Sequence, residues 1–506
     1  PFNILLGVIY AMSKSTNVDY YVNAFSIDYF ASLFGTFSAF ANGKDPSYLG
    51  SPYFKNHNES LTLNSYGLFG EAYFEASDRL KFTVGLRYNN DKKHDLSNST
   101  LASFLVPYGT TGDIFNSPDS AGYDADAGVT GLPGAQRIRD RTQKFDEVTG
   151  RAVIDFKITP DNLLYASYSR GYKSGGINPA LQFNVPGVTE TFPPEIIDAF
   201  EVGSKNTFGN GALQLNLTGF YYKYKGLQLS RIVARTSVND NVNANIYGFE
   251  AEAMVRPDPD WLINLGFSYL KTKVTDDKLF VNQRDPSGGL PNSVIIKDIT
   301  QAFNCAVVAN VGGQAAADGF VTAVNNGINA SKGLTAANGL RGPEAFPSDA
   351  NLGAATGAFS SCNALEAAAA GTGGAITVYG GGVPVSIKGN ALPQAPNFKF
   401  SAGVQHTVNF SSGMTLVPRL DLTYTGESYG NIFNGRVNKV KGYAQANAQL
   451  QLNGRDDRWY VRGFIQNIFD NNATTGLYLT DQSSGLFTNI FTLEPRRYGI
   501  GAGVKF

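Results

Sequence analysis

The sequence GESYG at positions 426–430 is the first stretch of the chain that could carry out chemistry. It matches the G-x-S-x-G pattern of a nucleophile elbow, which requires a strand-to-helix turn and a histidine base. Ser428 follows a strand pattern, but a polar segment without helical periodicity comes after it. The histidines His57, His94 and His406 have no evident role as its partner. The pattern therefore does not predict an enzyme, and we expect no catalytic residue.

Metal and nucleic-acid sites have no stronger basis. Asp124 and Asp126 in GYDADAG are similar to part of a calcium loop, but the twelve-residue pattern and its closing Glu are absent. Solvated loop carboxylates are the alternative. No spacing fits zinc or a phosphate loop, and a net charge of -1 without a basic stripe argues against nucleic acid. We expect no metal and no cofactor.

The composition indicates many strands. The chain has 506 residues with 56 Gly, 26 Tyr and 35 Phe but only 2 Trp and 3 Met, which favours short strands and turns. No window approaches the roughly 18–20 apolar residues of a membrane helix, so a helical membrane protein is excluded. A transmembrane β-barrel stays open, because its strands need only about 9–11 residues, half of them apolar.

Alternation of apolar with polar or glycine residues recurs along the chain and predicts strands with two unlike faces. In residues 80–89 every second residue is apolar, from Leu80 to Tyr88, while Lys81, Thr83 and Arg87 share the other face. The same period occurs in 261–269, 398–409, 415–424, 443–452 and 498–506. A soluble β-sandwich also alternates, so this pattern does not decide between the two architectures.

The connections favour the barrel. Short turn sequences lie at 77–79, 159–162, 209–211, 257–260, 411–413 and 454–457. They alternate with long polar connections at about 31–62, 91–143, 174–194, 226–242, 276–396, 429–441 and 470–494. Short and long connections alternate in this way in an up-and-down barrel whose two rims differ. Aromatic residues near strand ends fit an interfacial girdle: Tyr88, Tyr172, Tyr222, Tyr224, Tyr269 and Tyr424.

Four segments resemble the barrel of TonB-dependent outer-membrane receptors. They are 66–91, 163–178, 199–224, and the closing pair WYVRGFIQNIFDN with EPRRYGIGAGVKF. The resemblance implies an outer-membrane protein of a Gram-negative bacterium, surrounded by lipid. It also implies that the alternating C-terminal strand, through Tyr498, Val504 and Phe506, is the signal for the barrel-assembly machinery.

The chain departs from the family in length. We count about fifteen strands, whereas family barrels have twenty-two, preceded by a plug domain and a TonB box. Residues 1–506 are therefore expected to be the barrel portion of a receptor that is incomplete at its N-terminus, with 276–396 as a long extracellular loop insertion. A complete sixteen-strand porin is the alternative.

The two cysteines, Cys305 and Cys362, both fall in the 276–396 loop. The resemblance places this loop outside the cell, where pairing is favoured in an oxidising environment; two buried thiols are the alternative. A short helix is expected around 364–370. The loop either covers a ligand or is a tolerated insertion.

The resemblance implies that ligand is held by extracellular loops and the upper barrel wall. The candidates are Arg87, Arg170, Tyr172, Lys173 and Tyr429, because Arg and Lys suit an anionic ferric chelate. The alternative is that Arg87 and Arg170 pair with carboxylates of the lumen and that Tyr172 belongs to the girdle.

Two functions therefore compete. One is a receptor that takes up a scarce ligand, foremost a ferric siderophore, when the TonB complex acts through a plug. The other is a passive pore, whose selectivity comes from the charge and width of its lumen.

Overall fold

The computed structural model describes residues 2–23, 53–102, 122–124, 139–179, 189–233, 236–296, 304–331, 361–480 and 486–505. The strands, in chain order, are β1 (Phe2–Asn23), β2 (Tyr53–Glu75), β3 (Leu80–Ala102), β4 (Gly122–Asp124), β5 (Arg139–Thr159), β6 (Asn162–Lys173), β7 (Gly176–Ile177), β8 (Thr191–Phe192), β9 (Glu195–Phe208), β10 (Leu213–Val233), β11 (Thr236–Val255), β12 (Trp261–Val274), β13 (Leu279–Val281), β14 (Ser293–Ile296), β15 (Cys305–Ala309), β16 (Ile376–Tyr379), β17 (Pro384–Ser386), β18 (Phe398–His406), β19 (Val408–Asn409), β20 (Thr415–Thr425), β21 (Ser428–Tyr429), β22 (Lys439–Val440), β23 (Tyr443–Asn453), β24 (Trp459–Gln466), β25 (Thr474–Leu479), β26 (Thr488–Thr492) and β27 (Arg497–Val504).

In the residues that the structure describes, helices occur only in the connections. Two α-helices, α1 (Gly313–Ser331) and α2 (Ser361–Ala369), lie between β15 and β16, and the second matches the short helix expected from the sequence. Single 3₁₀ turns occur at Gly209–Gly211, Ala370–Thr372, Arg436–Asn438 and Arg455–Asp457. In the described part of the chain, no helix is long and apolar enough to cross a membrane.

One antiparallel meander dominates the molecule. Its strands pair in the order β1-β2-β3-β5-β6-β9-β10-β11-β12-β18-β20-β23-β24-β27, and the short β4 and β19 extend it. The path has fourteen strands, close to the fifteen expected. Each of the six predicted short turns joins neighbours of this path, and all six lie at one end of the sheet, which we call the turn end. The remaining connections, including the close joint of β10 to β11, lie at the other end, the loop end.

The two faces of the sheet differ as the alternation predicts. On β3, Val84 and Leu86 are 53% and 63% exposed. Thr83, the residue before Val84, lies on the other face and is 5% exposed. Exposed apolar side chains continue across neighbouring strands, with Phe200 and Val202 on β9 as examples. A continuous apolar surface of this kind is typical of a lipid-facing barrel wall. We call this the outward face and the opposite one the inward face.

The strands are longer than the sequence patterns predict. The expected connections 91–143 and 226–242 contain ladder residues, because β3 runs to Ala102, β5 begins at Arg139, and β10 and β11 are paired as far as Val233 and Thr236. Backbone pairing continues beyond the apolar band, where the side chains become polar and the alternation is lost from the sequence. The loop end therefore carries an extended polar wall.

The aromatic girdle includes different tyrosines from those expected on β10. Tyr221, opposite Phe200 and Tyr247, is 40% exposed on the outward face. Tyr222 points inward and donates to Glu201 Oε1 at 2.5 Å. Because Tyr221 and Tyr222 are adjacent, either could be placed outward until the register with β9 and β11 is known.

The long connection between β12 and β18 contains a separate small α/β unit. β14, β15 and β16 form a three-stranded sheet against which α1 and α2 pack. Its core contains Val307, Ala317, Leu365 and Ile376. Cys305 on β15 and Cys362 on α2 are joined in a disulfide, which is the pairing expected from the sequence.

Candidate functional site

Arg170 lies near the loop end of β6 and is held by two carboxylates. Its guanidinium donates to Glu147 Oε1 at 2.9 Å and to Asp198 Oδ1 at 3.2 Å, and Asp198 also accepts from the Tyr168 hydroxyl at 2.8 Å. By register Arg170 shares the outward face with Tyr168 and Phe200. Arg170 therefore forms ion pairs, as the alternative interpretation expects. The pair with Asp198, however, lies on the outward face and not in the lumen.

Arg87 lies on the inward face of β3 without such carboxylates. Nε donates to Asn89 Oδ1 at 2.7 Å, and the guanidinium carbon lies 5.8 Å from the centre of the Phe69 ring. A Cβ at Gly67 would come within 2.7 Å of Arg87 Nη2, so the glycine leaves space for the guanidinium to lie across β2. No carboxylate within the described residues forms an ion pair with it.

Tyr172 and Lys173 end β6. The Tyr172 hydroxyl is buried and has no hydrogen-bond partner within the described residues. Lys173 is exposed and lies opposite Glu195 of β9. Both are within a few residues of Arg170, so the structure brings three of the five candidates to one part of the wall.

Tyr429 lies elsewhere. It belongs to β21, a short ladder with β22 in the connection from β20 to β23, and its carbonyl accepts from Gln394 N at 2.8 Å. Six strand pairings of the main sheet separate this connection from β6. The five predicted residues therefore do not form one site.

A polar cluster at the loop end was not predicted. Arg141 Nη2 lies 2.6 Å from Asp95 Oδ2, and the same guanidinium donates to Ser97 Oγ at 3.0 Å and to Asn178 O at 3.1 Å. Asn58 Nδ2 donates to Asp95 Oδ1 at 2.6 Å. These residues line a cavity of about 460 Å³. Their spacing in the sequence carries no motif, because four separate strands and loops contribute them.

Lys93 lines the same cavity, beyond the apolar band of β3. Its ammonium donates to Gly175 O at 2.5 Å and lies 5.9 Å from the centre of the Phe145 ring. Burial lowers the pKa of Lys93; Asp91 opposes this shift and the charge of Lys173 adds to it. A partly desolvated cation therefore faces the cavity.

A second cavity, of about 300 Å³, lies between the last residues of β10 and three of the long connections, and we call it the loop-enclosed cavity. Four segments that are distant in sequence wall it, namely 229–232, 280–283, 430–433 and 477–480, together with 393–394. The wall is largely apolar or aromatic, with Phe280, Ile432, Phe433 and Leu477, and Arg231 is its cation. Convergence of several loops on a concave, mostly apolar space with a few polar groups is typical of a small-molecule site.

The cation in this wall is part of a compact charged group. Arg231 Nε lies 2.6 Å from Asp240 Oδ2, and Lys278 Nζ lies 3.3 Å from Asp240 Oδ1. Both cations lie near the Phe280 ring, at 5.0 and 5.3 Å from its centre. Two positive charges share one buried carboxylate, so the group carries a net positive charge beside an aromatic face.

The nucleophile-elbow residues do not assemble a catalytic group. Ser428 pairs in a ladder with Val440. His57 contacts Asp19 at 2.6 Å, His94 contacts Asp140 at 2.7 Å, and His406 stacks on Trp261. Within the described residues no cluster of three potential metal ligands occurs.

The proposed assembly signal lies on β27, the last strand in the pairing order of the main sheet. Tyr498 and Val504 are 81% and 64% exposed on its apolar face. Phe506 lies outside the described residues. The interaction with assembly machinery stays a prediction.

Known proteins similar to this chain share its fold. A family model described as TonB dependent receptor-like, beta-barrel, matches residues 6–294. The ferric yersiniabactin uptake receptor FyuA from Yersinia pestis is 15% identical, with 90% of this chain and 50% of that chain covered and a TM-score of 0.53. The closed form of the ferric-catecholate import receptor Fiu from E. coli K12 is 12% identical, with 90% and 51% covered and a TM-score of 0.50. The chain spans about half the length of these solved receptors.

Proposed function

Because this chain belongs to the family of TonB-dependent receptor β-barrels of the Gram-negative outer membrane, we propose that it forms the wall and extracellular loops of a receptor that takes up an anionic metal chelate, foremost a ferric siderophore. In this proposal the loop end faces outside the cell, and residues 276–396 are an extracellular insertion within the barrel domain. The chain contributes binding and passage rather than covalent chemistry.

The observation that carries the proposal is the loop-enclosed cavity with its positive wall. Arg231 and Lys278 share Asp240, so an incoming carboxylate or catecholate oxygen would meet an excess of positive charge. Phe280 beside them offers a flat apolar surface to an aromatic chelating group. Ligand specificity would come from the connections, since the sheet supplies a common scaffold.

Energisation is the second part of the proposal. In the family, the TonB complex acts through a plug domain and a TonB box, and the wall described above would surround such a plug. A passive pore differs physically, because flux through it follows the solute gradient alone. Transport that requires TonB therefore separates the two functions.

The test measures binding and uptake of a panel of radiolabelled ferric siderophores in a receptor-deficient strain that expresses the protein. Arg231→Ser and Lys278→Ser are expected to weaken binding of the recognised chelate about tenfold each, in keeping with loss of a charged hydrogen bond. Lys439→Ser is the matched control, because Lys439 also pairs with a loop carboxylate, Glu427 at 2.7 Å, but belongs neither to the cavity wall nor to the charged group beside Phe280.

Each outcome has a separate meaning. If the Arg231 and Lys278 variants bind the chelate as tightly as the control does, the cavity is not its binding site. Uptake that continues when the tonB gene is deleted would establish the passive pore instead. Absence of binding to any ferric chelate, with uptake of another solute that needs TonB, would keep the receptor and change its ligand.

A further inference from the structure

Four lysines project from the outward face of the sheet directly above its tyrosine girdle. They are Lys223 and Lys225 on β10 and Lys271 and Lys273 on β12, and all four are exposed. We call these four residues the lysine surface. Outward residues border lipid rather than the lumen, so the lysine surface has no part in the loop-enclosed cavity.

The strand register brings the four lysines together. Lys271 is opposite Tyr247, which is opposite Tyr221; one step higher, Lys273 is opposite Asn245, which is opposite Lys223. Two strand spacings separate β10 from β12 by about 10 Å, and residues two apart on a strand are about 7 Å apart. Flexible lysine side chains at these positions can converge on a single phosphate-sized anion.

The height of the lysine surface places it at the membrane boundary. Below it on β12, Leu265, Phe267 and Tyr269 are 40%, 42% and 41% exposed. An apolar band about 25 Å tall corresponds to about ten residues of tilted strand. Lys223 lies at that distance from the first residue of β10, and Lys271 lies at that distance from the first residue of β12. With the loop end outside the cell, as the proposed function has it, the ammonium groups lie at the level of the headgroups of the outer leaflet.

The described residues provide no ion-pair partner for the lysine surface. Within the described residues, no carboxylate forms an ion pair with any of the four lysines. The carboxylate opposite Lys223 in register is Asp198, and it is already held by Arg170 and Tyr168. An uncompensated group of four positive charges at a lipid boundary favours binding of an anionic headgroup.

A sector of the same sheet, at a similar number of residues from the turn end, provides a contrast. Lys92 and Lys144 are opposite each other on the outward face of β3 and β5. Asp146 and Asp140 share that exposed face, and Asp140 contacts His94 at 2.7 Å. Positive and negative charges balance there, so height alone does not produce a cationic surface.

We propose that the lysine surface binds the phosphate groups of an anionic lipid in the outer leaflet, whose acyl chains lie along the apolar band below it. Tyr221, Tyr247 and Tyr269 would border the junction of headgroup and acyl chain, as girdle tyrosines do. The lipid would be retained as a fixed neighbour of β10–β12, beneath the connections that enclose the loop cavity.

The test uses the purified protein in detergent at low ionic strength, with bound lipid measured by native mass spectrometry. The probes are diphosphorylated lipid A, the same lipid without its phosphates, and inorganic phosphate. The variant Lys223→Ser/Lys225→Ser/Lys271→Ser/Lys273→Ser is expected to bind the diphosphorylated lipid at least about tenfold more weakly, given the usual contribution of each basic residue near a membrane surface. Lys92→Ser/Lys144→Ser is the matched control and is expected to stay within about twofold of the parent.

A second result is expected. Without its phosphates, the lipid should bind to the parent protein only as weakly as the phosphorylated lipid binds to the quadruple variant. Heat-dependent gel mobility verifies that each variant is folded. Equal loss in the control variant, or equal binding of lipid with and without phosphates, overturns the proposal. Displacement of the lipid by an equimolar amount of inorganic phosphate shows a free-anion site instead and also overturns it.

Discussion

Arg141 and Asp95 form an ion pair inside the loop end of the sheet, with Nη2 2.6 Å from Oδ2 and side chains that are only 11% and 5% exposed. Ser97, Asn58 and the carbonyl of Asn178 complete the hydrogen bonds around the pair. Removal of one partner leaves the other charge buried without compensation, which is the costly case for a buried pair.

Arg141→Met should therefore destabilise the loop end strongly. We expect the free energy of local opening around β3 and β5 to fall by about 3–5 kcal/mol. Amide hydrogen exchange measures this opening. Asp95→Asn/Arg141→Met, which removes both charges, is the control and should recover part of the loss; no recovery would show that the charges are not the cause.

The disulfide should stabilise the small α/β unit and leave the main sheet unaffected. Cys305 and Cys362 are 57 residues apart, so the chain-entropy model gives a contribution of about 4 kcal/mol. Cys305→Ser/Cys362→Ser is expected to accelerate hydrogen exchange in β14, β15 and β16. β23 serves as the internal reference. Faster exchange in both regions would mean that the unit and the sheet unfold together.

Much of the sheet could be predicted from sequence because each strand carries its own period-two pattern. The face of Leu80–Tyr88 and the turn at 209–211 depend only on neighbouring residues, and both were correct. Strand ends at the loop end were too short in the prediction, since polar residues such as those of β3 beyond Tyr88 pair through the backbone without alternating.

The candidate site was harder to predict for a different reason. Asp95, Arg141 and Asn178 meet only because β3, β5 and the connection after β6 come together in space. Arg231 of β10 and Lys278 of the connection after β12 likewise share Asp240 of β11. Residues so far apart in the sequence give no local sign of such pairs, whereas Arg170 and Tyr172 can be predicted as candidates because they lie near the end of a recognisable strand.

The lowered pKa of Lys93 predicts a pH-dependent loop end. The unfolded segment binds more protons than the folded one between the lowered folded pKa and the ordinary lysine pKa of about 10.4, so local stability should rise with pH through that window. Below the folded pKa the full cost of the buried ammonium is present. Protection factors for residues 174–177, corrected for intrinsic exchange rates, should increase as the pH rises towards the ordinary lysine pKa.

Lys93→Met should abolish this pH dependence, because it removes the titrating group that contacts Gly175. Lys144→Met, at an exposed lysine of the neighbouring strand, is the matched control and should retain it. An unchanged pH dependence in Lys93→Met would assign the effect to another group.

The side chain of Asn178 links the connection after β6 to β11 through hydrogen bonds. Removal of this side chain should make that connection open more often. The buried amide donates to Thr189 O at 2.9 Å and to Asn239 O at 3.1 Å, and its oxygen accepts from Asn239 N at 2.8 Å. Asn178→Ala leaves these backbone groups without partners, at a cost of about 1–3 kcal/mol. Trypsin should then cleave after the exposed Lys173 several-fold faster than in the parent protein, while cleavage after Lys439 in a separate connection should keep its rate. Asn178→Asp retains the acceptor but not the donors and should be intermediate; equal cleavage after Lys173 in all three proteins would show that other contacts hold the connection in place.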